Sequence, residues 1–349
     1  MFLSAVNTSS RENNLNLVRL IAATAVTFGH SFAMLTGYHY EFLPTINSST
    51  FGFLAVAVFF GLSGFLITQS FCRQSNWKSY LLARCLRIFP GLCFANLITV
   101  ILVSQIVRNQ GFSMFADVNN WGYLIGGTFF KFYFYSDAFT GLPYTGPNGS
   151  LWTLPIEFHL YFLVMIMGLL GFFKHRLLLV GFTALSIFMV LLKVDFVVNE
   201  VFPHIFGAGT YSSATLSLPI CFGSGMLAYL YRDKFYLSIP VAFMVLASLY
   251  LTENWLIRAL AYIYAAYVFG YHPKLYIKNL NFKNDISYGV YVLSWPIQQS
   301  LIYTKTVSNP YALFLLSMTI VVPLAIFSWK MIEKPALRFK DKFSRGKAT

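Results

Sequence analysis

The sequence predicts an all-α polytopic membrane protein with about ten transmembrane helices and both termini cytoplasmic. Three observations carry that reading: an extreme composition, apolar runs of membrane length, and a lopsided distribution of basic residues. Of the 349 residues, 57% are hydrophobic and only 11% charged, with a mean hydropathy of +0.62, well outside the range of soluble domains. Apolar runs of roughly 17 to 22 residues recur between short polar clusters, the length a helix rising about 1.5 Å per residue needs to cross about 30 Å of hydrocarbon. No long polar segment remains, so residues 1–349 read as one transmembrane domain with no separate soluble domain, closing in a short basic cytoplasmic tail over 332–349. The opening MFLSAVNTSSRENN lacks the basic, apolar and small-residue stages of a cleaved signal peptide, which leaves targeting to the first span.

The spans fall near 16–36, 51–71, 88–107, 152–173, 177–193, 213–231, 236–252, 255–271, 285–303 and 311–330. With the N-terminus inside, twenty of the 25 Lys and Arg residues gather on the cytoplasmic side. Arg108, Lys131, Lys193, Arg258 and Lys305 are left on or near the outer side, the asymmetry the positive-inside rule predicts. The net charge of +13 therefore orients the chain and gives no support to nucleic acid as a partner. The stretch WGYLIGGTFFKFYFY, Trp121–Tyr135, is apolar but short, and counting it as a span would invert every later loop. It is expected to be re-entrant or interfacial on the outer side, within a large external region over 108–150. Cys72, Cys85, Cys93 and Cys221 have no metal-ligand spacing, so no metal is expected.

Polar residues inside the spans are the informative ones, because ionisable groups in hydrocarbon are costly and usually face a bundle interior or a watery path. The first span, LVRLIAATAVTFGHSFAML, carries Arg19 and His30. Eleven positions at 100° each put them on one face and about 16 Å apart along the axis. Arg19 has a bland alternative as a snorkelling anchor; His30 sits deeper and has no such escape. The second span places Gly61, Ser63 and Gly64 in its middle, a surface on which another helix can pack closely. Arg84 and Arg87 stand one turn apart before Pro90, either as a fork shaped for phosphate oxygens or as ordinary inner-side charge. Glu157, close to the outer interface, could orient a histidine or simply sit at a helix N-terminus. A late span, DISYGVYVLSWPIQQSL, is broken by Pro296 and studded with Tyr288, Tyr291, Ser294, Trp295, Gln298 and Gln299, a pattern that suits a helix lining a cavity. Glu333, beside Lys330 and Lys334, reads as a juxtamembrane ion pair.

Taken in order, these blocks resemble the acyltransferase-3 family of integral membrane acyltransferases that modify bacterial envelope polysaccharides. Arg19 and His30 match its Arg-x10-His motif, FFGLSGFLI its second-helix segment, and RCLRIFP its Arg-x-x-Arg motif; SLWTLPIEFHLY, SYGVYVLSWPI and IEKP match the later blocks. The resemblance implies an O-acetyltransferase of the bacterial inner membrane that takes an acetyl group from cytoplasmic acetyl-CoA. The group is delivered to a hydroxyl of an envelope sugar, such as lipopolysaccharide carries, on a free or lipid-linked glycan. By the same resemblance His30 is the catalytic histidine, with Arg19 as motif partner, while Glu157, near His30 in expected depth, is its candidate supporting carboxylate. Arg84, Arg87, Arg19 and Ser63 are the candidates for coenzyme A, and Tyr288, Tyr291, Ser294 and Trp295 for the acceptor. A histidine with a pKa of about 6.5 can take a sugar hydroxyl's proton as it attacks a thioester, with no metal needed. Membrane lipid is the remaining partner, and self-association is left open. Two departures stand out: Ser294 occupies a position where the family often has histidine, and Pro90 is followed by Gly91 and Leu92 instead of x-aromatic.

The competing reading is a secondary transporter or a flippase for a lipid-linked sugar, since intramembrane charge and a proline-broken helix suit both. Such proteins commonly have two related halves with paired interruptions, and LSWPIQQ has no counterpart in the first half.

Overall fold

The computed structural model describes residues 1–8, 10, 12–36, 41–43, 46–73, 76–131, 138–175, 177, 180–181, 183–184, 217–247, 252, 254–278 and 284–345. It is helical almost throughout: α1 (Leu15–Thr36), α2 (Ser48–Arg73), α3 (Trp77–Leu102), α4 (Val118–Thr128), α5 (Thr153–Leu169), α6 (Leu218–Leu230), α7 (Ile239–Ala247), α8 (Trp255–Tyr271), α9 (Ser287–Tyr303), α10 (Pro310–Ser328) and α11 (Lys334–Arg345). A short antiparallel ladder, β1 (Glu41–Leu43) with β2 (Ile46–Asn47), precedes α2. Among the described residues, five helical stretches are long and apolar enough to cross a membrane: Leu15–Thr36, Gly52–Arg73, Trp77–Val107, Gly149–Leu169 and Pro310–Phe339. The chain is thus a multi-pass membrane protein. The expected span at 177–193 lies largely outside the described residues, as do the start of 213–231 and the end of 236–252.

Two boundaries differ from expectation. The third helix begins at Trp77, not near 88, because WKSYLLARCLRIF continues the helix and Pro90 is accommodated inside it. Arg84 and Arg87 therefore sit on the helix itself. The first part of the apolar stretch, Trp121–Thr128, lies on α4, which has eleven residues and spans about 16 Å, too short to cross by itself, and residues 132–135 lie outside the described residues. The Asp117 side chain caps its N-terminus by accepting from the Asn119 N–H at 2.8 Å.

The chain divides into two compact units that alternate along the sequence. The first comprises residues 1–22, 53–80 and 155–283. Its helices meet at glycines: a Cβ on Gly64 would overlap the Phe222 carbonyl, and one on Gly225 would overlap the Gly61 carbonyl, so α2 and α6 approach backbone to backbone. The Tyr267 hydroxyl on α8 donates to that Gly61 carbonyl at 2.7 Å. Asn14, buried ahead of α1, donates to the carbonyls of Phe269 and Leu275 and accepts from the Ile277 N–H, tying the start of α1 to the end of α8.

The second unit comprises residues 23–52, 81–154 and 284–349. At its centre is α9, buried at every position from Ser287 to Ser300. Gly289 lets α10 approach, since a Cβ there would lie 2.9 Å from that of Ala325. Val100, Val103, Met114, Tyr123 and Phe139 form a core under the 108–150 region, joined at its edge by Tyr303.

Candidate active site

Within the second unit, α1 and α9 meet at two adjacent rungs. Gln298 Nε2 donates to the Thr27 carbonyl at 3.0 Å and to Ser317 Oγ at 3.3 Å, linking α9 to α1 and α10. One turn along each helix, the His30 ring meets Trp295 edge-on, with centroids 4.7 Å apart and planes at 80°. His30 Nδ1, Trp295 Nε1 and Gln298 Oε1 are buried and have no hydrogen-bond partner among the described residues. Leaving such a group unmet costs on the order of 1–3 kcal/mol, and these three atoms lie together on one pair of helices.

Trp295 is enclosed on its other sides by the segment leading into α5. The Tyr144 ring lies edge-on to it at 5.6 Å, and Gly149 lies so close that a Cβ there would be 2.5 Å from the indole. Gln299 Nε2 donates to the Tyr144 carbonyl. The Tyr291 hydroxyl donates to the Ser150 carbonyl at 2.8 Å and bonds Thr153 Oγ1 at 2.8 Å. Ser294 is fully buried, its hydroxyl turned back to the Tyr291 carbonyl of its own helix at 3.3 Å.

The arginine motif lies in the same unit. Arg87 is held by Asp285 at 2.7 Å and Glu333 at 3.3 Å, with its guanidinium 5.6 Å from the ring centroids of both Tyr288 and Trp329. Glu333 is 0% exposed and also accepts from Ser328 Oγ at 2.9 Å; a five-residue π turn, Trp329–Glu333, aims it inward. Beyond the expected neighbours Lys330 and Lys334, Glu333 reaches Arg87, 246 residues away in sequence, a pairing that local spacing could not disclose. Tyr288 donates to the Ile88 carbonyl at 3.0 Å and packs on Gly91, where a Cβ would be 2.7 Å from its ring. That contact accounts for the glycine following Pro90.

The remaining candidates lie in the first unit. Glu157 Oε1 accepts from Ser63 Oγ at 2.9 Å and from the Tyr161 hydroxyl at 2.5 Å, so Ser63 and Glu157 are direct partners. Tyr161 is in turn fixed through its carbonyl by the Tyr80 hydroxyl at 3.0 Å. Arg19 lies 5.9 Å from the Phe59 ring centroid. His159 is exposed, its ring bonded to the Pro155 carbonyl of the preceding turn at 2.6 Å. Sequence reasoning missed Asp285, Asn148 and Tyr144. Only Asn148 left a signal, since Pro296 must free a carbonyl that needs a donor.

A membrane protein with a histidine facing a tryptophan between two helices, and an arginine pinned between two carboxylates, fits a bilayer-embedded enzyme. The model of the acyltransferase-3 family, described as an acyltransferase domain, matches residues 12–329, and the chain belongs to that family. It is an acyltransferase. Among curated relatives, an "O-acetyl transferase" of Shigella phage Sf6 is 27% identical over 334 residues, covering 93% of this chain and 96% of the relative. "Nodulation protein 10" of Rhizobium leguminosarum bv. viciae is 26% identical over 364 residues, covering 96% and 95%. No solved structure matches the chain.

Proposed function

We propose that this protein is an O-acetyltransferase of the bacterial inner membrane, with both termini cytoplasmic, that moves an acetyl group from acetyl-CoA to a hydroxyl of an envelope glycan. His30 acts as general base. The observation that carries this is the His30 ring itself, which lies against Trp295 with Nδ1 buried and unpartnered among the described residues. A histidine kept only for packing would normally have that nitrogen satisfied. The phage relative's name favours acetyl over longer acyl groups.

The chemistry balances without a metal. The imidazole takes the sugar hydroxyl's proton while the oxygen attacks the thioester carbonyl carbon; the C–S bond breaks, and the imidazolium returns the proton to the departing thiolate. Arg84 is the arginine assigned to the coenzyme's phosphates. Arg87, bound to Asp285 and Glu333, is the strut that fixes this part of α3. Arg19, eleven residues before His30 in the same helix, and the Ser63–Glu157 pair are the further motif candidates. Trp295, packed between His30 and Tyr144, has an indole N–H to give to a sugar oxygen, with Tyr288, Tyr291 and Ser294 on the same helix.

The test is coenzyme A release by purified protein supplied with acetyl-CoA and envelope glycan. Wild-type protein should release it only when glycan is present. His30→Ala and His30→Asn, with unchanged melting temperature, should not. Wild-type rates in either variant would sink the assignment.

A further inference from the structure

We infer that Asn148 is a positioning residue for the acyl-transfer centre: it supplies the hydrogen bond that Pro296 removes from α9 and thereby seats Trp295 against His30. The inference rests on the proposed role of His30.

The argument begins with the proline. Pro296 has no N–H, so the Val292 carbonyl one turn earlier loses its helical donor. In a buried helix that oxygen must be met from elsewhere. Asn148 Nδ2 meets it at 2.8 Å, 144 residues away in sequence. The same side chain turns its oxygen to the Ser150 N–H at 3.2 Å, capping the 3-10 turn Gly149–Trp152. One amide thus joins the gap in α9 to the segment that encloses Trp295. The next residue, Gly149, lies against the indole at a distance that admits no side chain, and that indole is the one edge-on to His30. The order of contacts is Val292 carbonyl, Asn148, Gly149, Trp295, His30. The segment does not depend on Asn148 alone for attachment, because Tyr291 also bonds Ser150 and Thr153. Removing the amide donor should therefore loosen the seat of Trp295 without unfolding the unit. The Asn148-Gly-Ser tripeptide also fits a glycosylation acceptor, but both ends of this amide are already engaged.

The two bonds of Asn148 can be separated chemically. Asn148→Asp keeps an acceptor for the Ser150 N–H and loses the donor to Val292; Asn148→Ala loses both. Transfer to glycan is followed as kcat and as KM for acetyl-CoA. The Trp295 resonance is followed in protein labelled with 5-fluorotryptophan and assigned with Trp295→Phe. Both Asn148 variants should lower kcat by about ten-fold or more, as displaced catalytic geometry does. KM for acetyl-CoA should stay within about two-fold, and the Trp295 signal should shift or broaden. If Asn148→Asp keeps wild-type kcat and an unmoved Trp295 signal, Asn148 only caps its turn and the inference is overturned. His30→Ala in the same assay separates the two claims: its retained activity refutes the base assignment, whereas its loss beside a fully active Asn148→Asp refutes only the role of Asn148.

Discussion

At the scale of single residues, Arg87 shows how a motif side chain can be spoken for by its own protein. Its charge is offset by Asp285 and by a Glu333 carboxylate with no exposure, and its plane lies beside two aromatic rings. Removing one partner from a buried ion cluster strands the others in low dielectric, which costs far more than the intact cluster contributes. Arg87→Ala should therefore lower stability in detergent by about 3 kcal/mol or more, and Arg87→Lys should fail to restore it, because an ammonium cannot satisfy two carboxylates with a fixed fork. Thermal melting of the purified variants checks this. An Arg87→Ala protein with wild-type melting but weakened acetyl-CoA binding would return Arg87 to the coenzyme site. Residue types and spacing brought Arg84 and Arg87 forward together; that Arg87 binds Asp285 and Glu333 is visible only in the fold.

Among the elements, α4 carries the first eight residues of the apolar stretch that begins at Trp121. Its start depends on Asp117, whose carboxyl is held below the usual range by the Gln110 side chain first, then by the Asn119 N–H and by Arg108. A carboxyl with a lowered folded-state pKa contributes stability above its unfolded pKa, and that contribution is lost as pH falls through the folded value. The first turn of α4 should therefore loosen below about pH 4, by an amount kept small by the exposure of the site. Amide exchange corrected for intrinsic rates, measured from pH 6 to pH 3, should show protection fading at Asn119 and Asn120 while the α9 amides stay protected. Asp117→Asn should remove the pH dependence. The α2 and α6 glycines illustrate the other kind of legibility: close packing was readable from GLSG, but the partner helix was not.

For the whole molecule, the orientation proposed from charge can be tested by labelling. In protein lacking the exposed Cys72 and Cys93, Phe112→Cys should react with a membrane-impermeant maleimide from outside intact cells. Phe112 is 92% exposed in the region assigned to the outer side. Lys274→Cys should react only after the membrane is opened. The reverse pattern would invert the orientation and put Arg84, the arginine proposed for the coenzyme, on the wrong face.

The membrane class, the apolar runs, the order of the motif blocks and the choice of His30 as a candidate were all present in the linear chain, because hydropathy and helical period are local properties. The partners were not: Glu333 with Arg87, Ser63 with Glu157, Asn148 with the carbonyl that Pro296 exposes. Those pairings join positions 94 to 246 residues apart. A buried donor or acceptor must find its match wherever the fold brings one within about 3 Å, and no rule of local spacing specifies where that will be.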